Sequence, residues 1–143
     1  MWRRIFLLII LLALAGAILG YFFIYNKPHA DYEGAKPGFT GEAEWLYGAF
    51  QENPEAAMGR FDDMVLQVSG SVSRVEVNRD VVTVVFLFGE GFFGDEGVRC
   101  TMLDSHQDKA LRLTEGQVVT IKGHFAGFDG SDVVLQHASI VDE

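Results

Sequence analysis

The sequence predicts an all-β domain of five strands closed into a small barrel, preceded by a helical segment and an N-terminal membrane-spanning helix. Three observations lead there. From Met64 onward apolar residues recur at every second position, and glycine- and aspartate-rich turns cut that pattern into five runs. One short helical stretch interrupts the series between the third and fourth runs, giving the order β-β-β-α-β-β. Far upstream, the chain runs from Ile5 to Tyr25 without a charged residue.

That uncharged run accounts for the first element. As a helix it reaches about 30 Å, the thickness of a hydrocarbon core. Tyr21, Phe22, Phe23 and Tyr25 cluster at its far end, where an interfacial aromatic belt sits. Arg3 and Arg4 precede it and favour the cytoplasmic side, so residues 1–25 read as a cytoplasmic stub and anchor with the rest of the chain outside. Lys27 and Lys36 oppose that orientation weakly. Ala13-Leu14-Ala15 offers the rival reading, a cleaved signal, but the chain stays apolar well beyond it.

Residues 26–39 form a linker punctuated by Pro28, Gly34, Pro37 and Gly38. Residues 40–61 are expected to be helical. Thr40 takes the N-cap, and Ala43, Leu46, Tyr47 and Phe50 make one apolar stripe at i, i+3, i+4 and i+7. Asn53-Pro54 restarts the chain, with asparagine as cap and proline at the first helical position.

Residues 62–143 hold the strands. The first runs from Met64 to Val77, with Gly70 marking a bend. Asn78-Arg79-Asp80 turns into the second, Val81 to Phe88. Gly89 to Gly97 reads as a glycine-rich loop carrying Phe92 and Phe93, and Val98 to Leu103 is the third strand. Asp104 to Leu113 is the helix. Gln117 to Phe125 and Val133 to Val141 are the last strands, joined by a turn from Phe128 to Asp132. A long first strand bent at a glycine, with a helix between strands three and four, builds an OB-fold barrel. An immunoglobulin-like sandwich would need about seven strands and no internal helix.

Segments spread along the chain carry a family resemblance: YNKPHADY (25–32), AEWLYGAFQENPEAA (43–57), LQVSGSVSRVE (66–76), GVRCTM (97–102), LTEGQVVTIKGHFAGF (113–128) and DVVLQHASIV (132–141). With these the chain resembles the tRNA-anti-like group, small membrane-anchored or secreted bacterial OB-fold proteins. The resemblance implies fold and topology more than activity. Some members carry further cysteines in the last two strands, where this chain has Phe125 and Ala138.

Charge narrows the partners. The 11 basic residues less Arg3 and Arg4, against 20 acidic ones, leave about −11 beyond the anchor. That sign repels phosphate backbones and anionic lipid heads, so nucleic acid is not the expected partner. Cys100 is the sole cysteine, excludes an intramolecular disulfide, and sits in an alternating run that reads as a buried strand.

OB-folds bind on the face of strands two and three and the loops beside it. Mapped onto this chain, that region takes in Arg74, Arg79, Phe86, Phe88, Arg99, Asp129 and Asp132, with Phe92 and Phe93 in the adjoining loop. Most such phenylalanines belong to a core. His124 and His137 form a second candidate. If Phe128 pairs with Val133 they lie directly opposite, close enough to share a metal, though a further ligand is missing. His29 and Tyr32 have an HxxY spacing similar to that of a membrane-anchored haem-chaperone OB family, where it follows the barrel instead of preceding it. Asp129-Gly130-Ser131-Asp132 lacks the calcium-loop pattern and reads as turn chemistry.

No GxSxG, HExxH or CxxC motif is present, so no enzyme and no cofactor are expected. The reading is a non-enzymatic binding module of the cell envelope, single-pass, whose partner is the membrane through its helix and an envelope protein or small ligand through its barrel. The alternative is a ligand- or metal-handling protein using the barrel face or the histidine pair; a nucleic-acid-binding OB domain ranks third.

Overall fold

The computed structural model describes residues 1–25, 32–91 and 94–141. Its contacts divide the chain into two units, 1–31 and 32–143. The first unit holds helix α1, Trp2–Tyr25, whose stretch Trp2–Ile24 is long and apolar enough to cross a membrane. None of that stretch is buried within the protein.

The second unit is a seven-stranded sheet with three helices, not five strands. In chain order they are β1 (Phe39–Glu42), α2 (Ala43–Glu52), α3 (Pro54–Phe61), β2 (Val65–Ser71), β3 (Arg74–Asn78), β4 (Val81–Gly91) and β5 (Gly94–Met102). A 3-10 turn (Asp104–His106), α4 (Gln107–Leu111), β6 (Val118–Phe128) and β7 (Val133–Ile140) follow. The sheet order is β1-β2-β6-β7-β5-β4-β3.

Two departures from the sequence reading produce the extra strands. Thr40 is not a helix cap: residues 39–42 pair in parallel with Leu66–Ser69, and the helix starts at Ala43. The expected first strand is real but divided. Before the break, β2 pairs with β6; after it, β3 pairs with β4. Val72 still bonds toward the β6 side, exchanging hydrogen bonds with Gln117 and Gly116 at 2.9 and 2.8 Å. Its neighbour Ser73 has already changed sides, donating to the Val85 carbonyl and accepting from the Leu87 amide through Oγ, both at 2.9 Å.

The ladder is therefore open. Among the described residues no strand pairing joins β1 to β3, and the two halves of the bent strand are linked through Val72-Ser73 alone. The break falls two residues beyond Gly70, whose bare Cα lies against the Phe86 ring; a Cβ there would approach it to 3.1 Å. The glycine-rich stretch after Phe88 is mostly strand as well, since β4 and β5 pair out to Gly91 and Gly94.

One apolar core fills the unit. From the strands come Leu66, Val68, Val84, Phe86, Val98, Ile121 and Leu135, and from the helices Leu46, Phe50, Phe61 and Ala110. The i, i+3, i+7 spacing explains why Ala43, Leu46 and Phe50 are the residues α2 buries. Phe50 stacks on Phe125 at 5.5 Å and meets Phe128 at 5.0 Å. Each such side chain contributes about 1.5–3 kcal/mol through burial. Asn53 caps α3, its Oδ1 accepting from the Ala56 amide at 3.1 Å, with Pro54 next. Cys100 is fully buried, and burial pushes its thiol up to about 12.

Candidate functional site

Antiparallel pairing decides which predicted residues share the outward face of β3, β4 and β5. Arg74 lies opposite Val85, and Val85 opposite Arg99, so the two arginines occupy one cross-strand row. Glu76 stands in the next row, opposite Thr83. Arg74 Nε donates to Glu76 at 2.7 Å and its Nη1 reaches Asp95 at 3.4 Å, while Arg99 donates to the other Glu76 oxygen. Burial pushes the Glu76 carboxyl up, but hydrogen bonds from Arg74 and Arg99 outweigh it and hold it below its ordinary value. Val85, between the two arginines in that row, is fully buried despite its outward position.

Arg79 sits at the β3–β4 turn in a left-handed conformation, φ 47°, followed by Asp80 at φ 64°. Two consecutive positive φ values match a tight hairpin turn. Among the described residues Arg79 has no ion pair. With Arg99 and Glu76 it lines a groove of about 460 Å³, completed by Asn78, Val81 and Thr83.

The remaining candidates on this side are structural. Phe86 is fully buried and points into the core. Phe88 packs against Tyr47 of α2 at 5.9 Å. Tyr47 also donates its hydroxyl to Glu96 at 3.0 Å, and burial together with that carboxylate raises its pKa above the usual tyrosine value. Sequence reasoning missed Glu76, Glu96 and Tyr47 here. Glu76 was legible as an acid between Arg74 and Asn78 on an exposed strand; the other two were not, because α2 gives no sign of where it docks. Phe92 and Phe93 lie outside the described residues.

Asp129 and Asp132 close the β6–β7 turn. Asp129 accepts from the amides of Asp132 and Ser131 at 2.7 and 2.9 Å, and these bonds hold its carboxyl below the ordinary value. Asp132 instead accepts from the Gly97 amide at 2.9 Å; burial outweighs that bond and raises its carboxyl. Both are turn and strand braces.

The histidine pair is not the facing pair expected. Phe128 does pair with Val133, but an extra residue between Phe125 and Gly127 bulges β6 and shifts the register, so His124 faces Gln136. His137 sits in a further irregularity at φ 51°. Tyr32 lies against both, its ring stacked on His124 at 4.6 Å and on His137 at 5.1 Å. His124 Nε2 is 2.8 Å from Asp63. Among the described residues no three metal-ligating side chains converge anywhere. His29 of the HxxY spacing lies outside the described residues.

Beside Tyr32, two more groups hold the same segment. His106 is buried, with Nε2 2.7 Å from Glu33 and Nδ1 accepting from the Ile140 amide at 3.2 Å. Since Nδ1 accepts, the ring is assigned as the neutral Nε2–H tautomer. Lys122 donates to the carbonyls of Glu33 and Ala35, the latter at 3.0 Å. Residues 32–35 are thus strapped across β6 and β7, a contact the sequence analysis did not foresee.

The model of the tRNA_anti-like family matches residues 1–140, and the chain belongs to that family. Among solved structures it is similar to a candidate nucleic acid-binding lipoprotein from Klebsiella pneumoniae, at 18% identity and a TM-score of 0.58. That match covers 72% of this chain and 91% of the other, and it supports the fold. Lower-scoring matches, at a TM-score of 0.39, include the Schizosaccharomyces pombe Stn1-Ten1 complex (13% identity, 55% of this chain and 59% of the other). Asparaginyl-tRNA synthetase from Pyrococcus horikoshii scores the same, at 12% identity over 58% of this chain and 20% of the other. No curated protein matches significantly.

Proposed function

We propose that this member of the tRNA_anti-like family is a non-enzymatic binding module of the cell envelope. Helix α1 tethers it with Arg3 and Arg4 on the cytoplasmic side, and its OB-like sheet takes a polar ligand or an envelope protein on the outward face of β3, β4 and β5. The observation that carries this reading is the groove of about 460 Å³ between Arg79, Arg99 and Glu76, which lies where OB-folds bind. Arg79 supplies an uncommitted cation there, and Arg99 and Glu76 supply a donor and an acceptor held in place by their own ion pair.

Nucleic-acid binding on the same face is the second reading, favoured by the description of the Klebsiella pneumoniae protein. Charge weighs against it. Arg74 and Arg99 are neutralised by Glu76 and Asp95, and the whole chain stands at −9. A phosphate backbone would meet one unpaired arginine instead of a basic track.

A photo-crosslinking residue placed at Asn78 of the full chain in native membranes tests the first reading. A discrete adduct that disappears in the Arg79→Ala, Arg99→Ala double variant supports it. The same adduct from a probe at Gln51, on α2, would count against it. Twelve-nucleotide DNA and RNA single strands, followed by fluorescence anisotropy at 50 and 200 mM salt, test the second. Binding that falls with salt and is lost in the double variant would replace the first reading by the second.

A further inference from the structure

A second concavity lies away from the β3–β4–β5 face, where α4 meets the outer sides of β2, β6 and β7. It measures about 580 Å³, within the range of small-molecule sites. Its composition is divided. Lys109 and Arg112 stand on one rim, while Leu113, Val119 and Ile140 form an aliphatic floor, with Thr120 beside it. Thr120 and Ser69, cross-strand neighbours in the β2–β6 ladder, share a 2.8 Å hydroxyl hydrogen bond along the wall.

Two features bear on what this groove takes. In a chain of net charge −9, Lys109 and Arg112 line it and none of its described lining residues is acidic, whereas Glu76 stands in the β3–β5 groove. Arg74 and Arg99 of the β3–β5 face are tied to Glu76 and Asp95, whereas the Arg112 guanidinium, like that of Arg79, has no ion pair or hydrogen bond among the described residues. Its side chain is exposed and reaches a site whose floor is aliphatic. A bare anion would satisfy the rim and leave Leu113 and Ile140 wet; an uncharged hydrocarbon would do the reverse.

We infer that this groove binds a small amphiphilic anion, an aliphatic body ending in a carboxylate or phosphate, with the anionic head on Arg112 and the body along Leu113, Val119 and Ile140. Arg112 provides a planar fork suited to either head group. This site is independent of the β3–β5 groove and stands or falls without it.

Methyl-labelled full-length protein in lipid nanodiscs, titrated with hexanoate, tests the inference, with hexyl phosphate as the second head group. The expected result is saturable shifts in the Leu113, Val119 and Ile140 methyl resonances for one or both, relative to the methyl groups of β4. Acetate, which lacks the body, and hexanol, which lacks the head, should each bind at least tenfold more weakly. Arg112→Gln should weaken binding at least fivefold while leaving the melting temperature unchanged, because Arg112 is exposed. Equal binding of hexanol, unaltered affinity in Arg112→Gln, or shifts confined to β4 and β5 would overturn it.

Discussion

The outward face of β3–β4–β5 and that of β6–β7 carry the same kinds of residue and use them differently. On the first, Arg74, Arg99 and Glu76 are tied to one another across neighbouring strands, and Arg79 is left over beside a groove. On the second, Lys122, His124 and His137, with His106 from the adjoining 3-10 turn, are directed at the chain itself, holding Tyr32, Glu33 and Ala35 against the sheet. A cluster of titratable side chains on a strand therefore says little until its partners are known. The histidine face holds a segment of its own chain, whereas the arginine face retains a free cation.

The sharpest way to break the first face is at Gly97. A Cβ there would come within 1.7 Å of the Phe86 carbonyl oxygen, backbone that cannot move without parting β4 from β5. Gly97→Val is expected to cost about 3 kcal/mol, as overpacking in a close backbone approach does. Urea denaturation checks this, and a loss below about 1 kcal/mol would show that the two strands part easily.

On the second face, His106→Ala leaves the Ile140 amide without its acceptor and Glu33 without its donor. The expected loss is about 1–3 kcal/mol. Limited proteolysis should show faster cleavage between residues 32 and 38 than in the wild type, and unchanged cleavage there would mean the strap is held by Lys122 and Tyr32 alone.

The smallest effect belongs to Glu76, a half-exposed acid whose ion pairs are worth about 0.2–1 kcal/mol. Its carboxyl is held low in the folded state, so its contribution is complete above the unfolded value of about 4.3 and is lost as pH falls through the folded one. At pH 6 the wild type should exceed Glu76→Gln in stability by up to about 1 kcal/mol, narrowing as pH drops below about 4. A gap that persists at pH 2.5 would mean packing, not charge, accounts for it.

Much of this architecture was legible in the residues. Alternation from Leu66 to Val72 and the apolar run Val81 to Phe88 mark strands because side-chain direction repeats every two residues. The α2 stripe named its buried residues for the same reason at helical period. What escaped notice depended on single residues. The Val72-Ser73 change of partner leaves both halves extended, so no local signal separates β2 from β3. The bulge in β6 moves His124 by one position, and counting along two strands cannot detect one extra residue. Thr40 fits a helix cap as well as a short parallel strand, and the choice is made by Leu66 to Ser69, far along the chain. Of the candidate site, the arginines could be listed from sequence, but which one remained unpaired could not.

Cys100 makes these faces accessible to experiment in a particular way. Thiol reagents attack the thiolate, and burial between β4 and β7 pushes the pKa of this thiol up to about 12, which leaves it almost wholly protonated at neutral pH. The folded native chain is expected to react slowly with maleimides. A single reporter introduced by Arg79→Cys or Arg112→Cys can then be attached in the wild-type background, and either groove can be watched without removing a core side chain first.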